Sequence, residues 1–215
     1  MENERRIDRT TSMGMDEHRL SDILHASQIK ATDIYETPPQ IIWIDNSTIA
    51  TLGNFSASTG KAKSKKTFNV SALVAASLAG KQVLNYRAHL PEGKQRILYV
   101  DTEQSRFHCR SVLERILRLA GLPTTTDPEN LDFFCLREYS PSVRIEVIDY
   151  ALRQQKGYGL VIIDGIRDLM LDINNAGESV EVINRMMEWS SRYDLHIHCV
   201  LHLNKGDNNV RGHIG

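Results

Sequence analysis

The sequence predicts a three-layer α/β/α fold built on a mostly parallel sheet, and three observations carry that prediction. Strand-length apolar runs alternate with helix-length amphipathic stretches from about residue 41 to residue 202, the pattern of repeated strand–helix units. Ile97–Val100 and Leu160–Ile163 are apolar at every position, as strands covered on both faces are. Between a strand and a helix lies Gly60-Lys61-Ala62-Lys63-Ser64-Lys65-Lys66-Thr67, a small-residue, lysine-rich segment with the layout of a phosphate-binding loop.

Bulk properties narrow the class. At 215 residues the chain has room for one such domain and a short extra segment. A net charge of −1 and a pI near 6.7 give no overall basic field, so any nucleic-acid contact is local. Cys109, Cys135 and Cys199 are odd in number and widely spaced, which suits neither a disulfide framework nor a zinc site and points to a reducing cytoplasm. No apolar run is long enough to span a bilayer, and the charged stretch Met1 to Arg9 leads into no apolar core. Neither membrane insertion nor export is expected.

Taken in order, residues 1–40 are polar, with a weakly helical patch at Leu20, Ile23 and Leu24, and end at Pro38-Pro39; they read as a flexible or helical arm. Residues 41–215 form the core. Ile41–Ile44 and a strand at Ile49–Leu52 suggest a hairpin whose second strand leads into the phosphate loop. The following helix, with Phe68, Val70, Leu73, Val74 and Leu78 on a buried stripe, ends at Gly80. After the strand Ile97–Val100 comes a helix turning Phe107, Leu113, Ile116, Leu117 and Ala120 inward. Phe133–Leu136 is a strand, and Pro141 opens a helix burying Val143, Val147, Ile148, Ala151 and Leu152. Leu160–Asp164, a helix with Val182, Ile183, Met186, Met187 and Trp189, and the strand His196–His202 complete the alternation.

In parallel sheets ligands sit beyond the carboxyl ends of the strands, so the polar residues there are the candidates for chemistry. Aligned on G-x-x-x-x-G-K-[ST], the loop puts Lys66 in the phosphate-reaching position and Thr67 in the magnesium position, with Lys65 where the second glycine belongs. Asp164 ends the most apolar strand and suits the metal's hydration shell opposite Thr67. Glu103 and Asp101 share one side of an extended stretch, and either could orient and deprotonate an attacking water. His202 suits a sensor of the terminal phosphate, while His196 and His198, on one buried strand, read as structural.

These pieces resemble the RecA-type P-loop ATPase core, nearest the hexameric helicases of the DnaB and plasmid RepA type and the AAA-type ATPases of plasmids and mobile elements. The resemblance covers about residues 40–212 and is carried by the loop Gly60–Thr67, Tyr99-Val100-Asp101-Thr102-Glu103, Leu160–Gly165 and Leu201-His202-Leu203-Asn204-Lys205. It implies ATP and Mg²⁺ as ligands. Gly60, Lys61, Ala62, Lys63, Ser64, Lys65, Lys66, Thr67 and Phe68 would hold the nucleotide, and Thr67 and Asp164 the metal. Glu103 rather than Asp101 would be the catalytic carboxylate, with Lys66 and His202 beside it. It further implies a ring-shaped homo-oligomer, with Arg211 or Lys205 reaching a neighbour's nucleotide, and single-stranded DNA as partner. Two features depart from the family: Lys65 replaces a glycine, and the sheet's C-terminal strands are not recognisable before Gly215. The expected activity is therefore ATP hydrolysis in replication or transfer of a mobile element; the alternative is a nucleotide-binding regulator or adaptor with little turnover. A small-molecule kinase would require a lid of arginines, and Arg167 alone does not make one.

Overall fold

The computed structural model describes residues 16–60, 64–172 and 176–202, the last of these by its backbone. The chain divides into two compact units, Met1–Thr37 and Pro38–Gly215. The first contains helix α1 (Glu17–Ser27), whose N-terminus is capped by the Asp16 carboxylate accepting from Arg19 N at 2.8 Å.

The second unit runs β1 (Gln40–Ile44), β2 (Ser47–Thr51), β3 (Phe55–Gly60), α2 (Lys66–Ala79), β4 (Tyr86–Ala88), β5 (Arg96–Asp101), α3 (Arg106–Ala120), β6 (Leu131–Cys135), α4 (Pro141–Gln154), β7 (Tyr158–Asp164), a 3-10 turn (Ile166–Leu169), α5 (Ala176–Arg192) and β8 (His196–His202). Five strands form a parallel sheet in the order β3-β8-β7-β5-β6. Alternate residues of the central strands feed opposite cores. Ile97, Tyr99, Leu160, Ile162 and Val200 pack with α2 and α3. Leu98, Val100, Val161, Ile163, Ile197 and Cys199 pack with α4 and α5. The α/β fold with helices on both faces of a parallel sheet is thus the one the alternation predicts.

The entry into the sheet differs from the sequence reading. Ile49 and Ala50 lie in β2, which pairs antiparallel with β1 in a separate three-stranded sheet ordered β2-β1-β4. The strand that carries the phosphate loop is instead β3, Phe-Ser-Ala-Ser-Thr-Gly, at the sheet edge beside β8. An edge strand covered on one face needs no apolar run, which is why its small and polar residues gave no signal.

Some helix faces also rotate. Phe107 is exposed because the helical period groups it with Ser111, Glu114 and Arg118, while Cys109, Val112, Ile116 and Ala120 turn inward. Phe68, Val143 and Met187 are likewise exposed. Phe68 sits in the first turn of α2, and Met187 neighbours the face of Val182, Met186 and Trp189 that the core takes. Beyond Phe68, α2 is buried almost all round, from Val70 to Ser77, rather than along one stripe. Trp43 is half-buried and carries the Arg87 guanidinium 4.4 Å from its ring centroid.

Candidate nucleotide site

The site is built where β3 gives way to α2. Lys65 is the N-cap of α2 and adopts φ 63°, ψ 23°, the left-handed region that glycine enters at no steric cost. The template's glycine preference at this position is therefore met in conformation although not in residue. The turn lets the Lys65 carbonyl accept from Phe68 N and Asn69 N, both at 3.1 Å, and start the helix. An α-helix leaves its first amides without intrahelical partners and its positive dipole end outward, which together suit a phosphate.

Lys66 is 93 % covered in a place where lysine is rarely found, since only 7 % of it is exposed. Its Nζ donates to the Gly60 carbonyl at 2.6 Å and to Ser64 Oγ at 3.4 Å. Burial lowers its pKa, while the negative charges of Glu103 and Asp164 pull it back up. Those two carboxylates, far from Lys66 in sequence, thus act electrostatically on the one ammonium. Gly60 leaves room for the Ser64 side chain: a Cβ there would stand 2.7 Å from Ser64 Oγ.

Asp164 ends β7, fully within the sheet, and accepts a hydrogen bond from Tyr99 Oη at 2.9 Å. Gly165 follows at φ 104°, and a Cβ on it would fall 2.3 Å from Thr102 Oγ1 and 2.9 Å from Glu103 Cγ. Only glycine permits the Glu103 side chain to lie against the residue after Asp164. Thr102 Oγ1 bridges the same turn, 3.0 Å from the Asp164 carbonyl and 2.9 Å from that of Gly165.

Asp101 and Glu103 part company in the structure. Asp101 is completely buried, and its Oδ1 accepts from Glu103 N at 3.0 Å and Gln104 N at 2.7 Å while Oδ2 accepts from Gln104 Nε2 at 2.8 Å. Burial raises its pKa, and those hydrogen bonds oppose the rise. Both its oxygens are engaged in shaping the turn. Glu103 is exposed at the end of that turn, on the side of Lys66 and Asp164.

The other sequence-predicted residues are distributed as follows. Thr67 is half-buried in the first turn of α2, its carbonyl accepting from Ser71 Oγ at 2.6 Å, and Phe68 is beside it. His202 ends β8 with its Cα in register with Gly60. Because β8 lies between β3 and β7, that strand end falls between the phosphate loop and Asp164. Lys61, Ala62, Lys63, the His202 side chain, Lys205 and Arg211 lie outside the described residues. His196 and His198 are buried on β8 and bound to hydroxyls of the edge strand: Ser56 Oγ is 2.8 Å from His196 Nε2 and from His198 Nδ1, and Ser58 Oγ is 2.8 Å from His198 Nε2. Burial pushes both imidazoles down to about 4.

The donor set fits Mg²⁺ with a polyphosphate. Thr67 hydroxyl and Asp164 carboxylate are hard oxygen donors, and Mg²⁺ is commonly held by one or two such groups plus substrate oxygens and water. Among the described residues no three histidines, cysteines or carboxylates gather as an all-protein metal cage, which this mode of binding does not require.

Sheet, helix N-terminus, buried lysine and strand-end aspartate together define a P-loop nucleotide-binding domain of the ATPase class. A family model described as an AAA domain matches residues 20–208, and the chain belongs to that family. The family implies ATP as ligand and, with it, Mg²⁺. No curated protein matches the chain. Among the described residues no helix is long and apolar enough to cross a membrane.

Proposed function

We propose that this chain binds ATP·Mg²⁺ through Gly60–Phe68 and hydrolyses it, in the manner of the RecA/DnaB-like ATPases that serve DNA replication or the transfer of mobile elements. The observation that carries the reading is the convergence on Lys66. A buried ammonium at a helix N-terminus feels the charge of two carboxylates from the ends of two other strands, an arrangement that packing alone does not call for.

In this reading Lys66 presents its ammonium to the terminal phosphates, exchanging the Gly60 carbonyl for a phosphate oxygen. The Thr67 hydroxyl would hold Mg²⁺ directly and Asp164 would hold it through its water shell, and the ion would supply neutralisation of phosphate charge. Glu103 accepts the proton of the attacking water, and the Asp101 turn fixes where that carboxylate stands. His202 reports whether the terminal phosphate is present. Residues 1–40 act as an arm to the core of residues 41–215, single-stranded DNA is the partner, and a ring of copies brings Lys205 or Arg211 to a neighbour's nucleotide.

A second reading, a nucleotide-dependent adaptor with little turnover, draws on Lys65, which puts a charged side chain where the template has none. Mg²⁺-dependent ATP hydrolysis measured with and without single-stranded DNA separates the two. Turnover that DNA accelerates supports the motor; tight ATP binding without turnover in either condition supports the adaptor and overturns the first reading.

A further inference from the structure

A carboxylate at a strand end rotates broadly about χ2 unless a neighbour holds it. Asp164 has such a neighbour. Tyr99 lies on β5 two residues before Asp101, the in-register partner of Asp164. Its side chain reaches toward the strand ends, and its hydroxyl donates to Asp164 Oδ2 at 2.9 Å. The tyrosine is itself held: it is fully buried and stacks on Phe133, its in-register partner on β6, with centroids 4.3 Å apart and planes 8° from parallel. A phenylalanine would fill the same volume, and burying a hydroxyl costs free energy unless it finds a partner. The hydroxyl is thus explained by the aspartate and not by the packing.

We propose that Tyr99 is a positioning residue for the magnesium-holding carboxylate, with Phe133 fixing the ring and the ring hydroxyl fixing Asp164. This inference rests on the reading of Asp164 given above. Three side chains on three adjacent strands, Phe133, Tyr99 and Asp164, then act in series on the metal's hydration shell. Groups that orient a metal-binding residue typically change metal affinity 10–100-fold when removed, and an aspartate acting through the hydration shell belongs at the lower end, about tenfold.

The test is the Mg²⁺ dependence of binding of a non-hydrolysable ATP analogue, followed by calorimetry in the full chain and in Tyr99→Phe, Phe133→Leu and Asp164→Asn. Tyr99→Phe is expected to raise the Mg²⁺ concentration for half-maximal binding about tenfold and to leave metal-free binding unchanged. Phe133→Leu keeps the hydroxyl but loosens the ring, so it shifts the requirement in the same direction by a smaller factor. If Asp164→Asn shifts the requirement and neither of the other variants does, the positioning role is overturned while the reading of Asp164 stands. If Asp164→Asn has no effect either, the reading of Asp164 fails and the inference goes with it.

Discussion

Replacing Lys65 by glycine separates backbone conformation from side-chain chemistry at the phosphate loop. Lys65 holds φ 63° and ψ 23° at the start of α2, and a residue with a Cβ gives up about 1–2 kcal/mol there. Its side chain is exposed, so the substitution removes no packing. Glycine relieves the strain but loses about 0.4–1 kcal/mol through the greater freedom of the unfolded chain. The net expectation for Lys65→Gly is stabilisation by roughly 0.5–1 kcal/mol, from the difference of those two effects. At 2–4 °C per kcal/mol for a domain of this size, the melting temperature rises by about 1–4 °C. Lys65→Ala keeps the Cβ and is expected to melt with the wild type. Thermal denaturation of the three proteins, followed by circular dichroism in the absence of nucleotide, reads the difference. A glycine variant that melts at or below the wild type refutes the argument. An alanine variant stabilised as much as the glycine one refutes it differently, by tracing the gain to relief of lysine–lysine repulsion.

Two further expectations follow from buried groups. His196 and His198 titrate near 4 in the folded chain against about 6.5 unfolded, so the unfolded state binds more protons as the pH falls between those values. Stability present above pH 6.5 is lost progressively toward pH 4, by about 2 kcal/mol per histidine between pH 7 and pH 5; urea midpoints across that range should fall steeply, and a flat profile would contradict the buried neutral pair. Asp101→Ala should leave nucleotide affinity near wild type but cut kcat by about tenfold or more, because it removes at once the acceptors of the Glu103 and Gln104 amides and of Gln104 Nε2. Equal losses in binding and turnover would mean that the turn supports the whole loop and not Glu103.

What the sequence disclosed and what it hid have physical causes. β5 and β7 are covered on both faces, so they are apolar throughout and announce themselves, and the polar residues that end them, Asp101 and Asp164, stand out. β3 is an edge strand whose Ser56 and Ser58 are there to meet two histidines on β8, and an alternation of small and hydroxyl residues is indistinguishable from a loop. The more apolar β2 drew the reading to itself. The choice between Asp101 and Glu103 was open to the residues alone because both follow one strand, and burial separates them. In sequence Tyr99 is one more residue of the apolar run Ile97–Val100; its hydroxyl matters through a diagonal contact between two strands, which depends on strand order and register. Phe107 and Phe68 show the opposite error, large apolar residues assigned inward by type although the helical period or the helix end leaves them in solvent.

We propose that Lys66, Glu103 and Asp164 form one catalytic nucleotide site. Its most direct test is Mg²⁺-dependent ATP hydrolysis and ATP binding measured side by side for the wild type, Lys66→Ala and Glu103→Gln. Turnover is expected in the wild type and in neither variant, with binding kept in Glu103→Gln and lost in Lys66→Ala. Undiminished turnover in Glu103→Gln, or unchanged binding in Lys66→Ala, would contradict it.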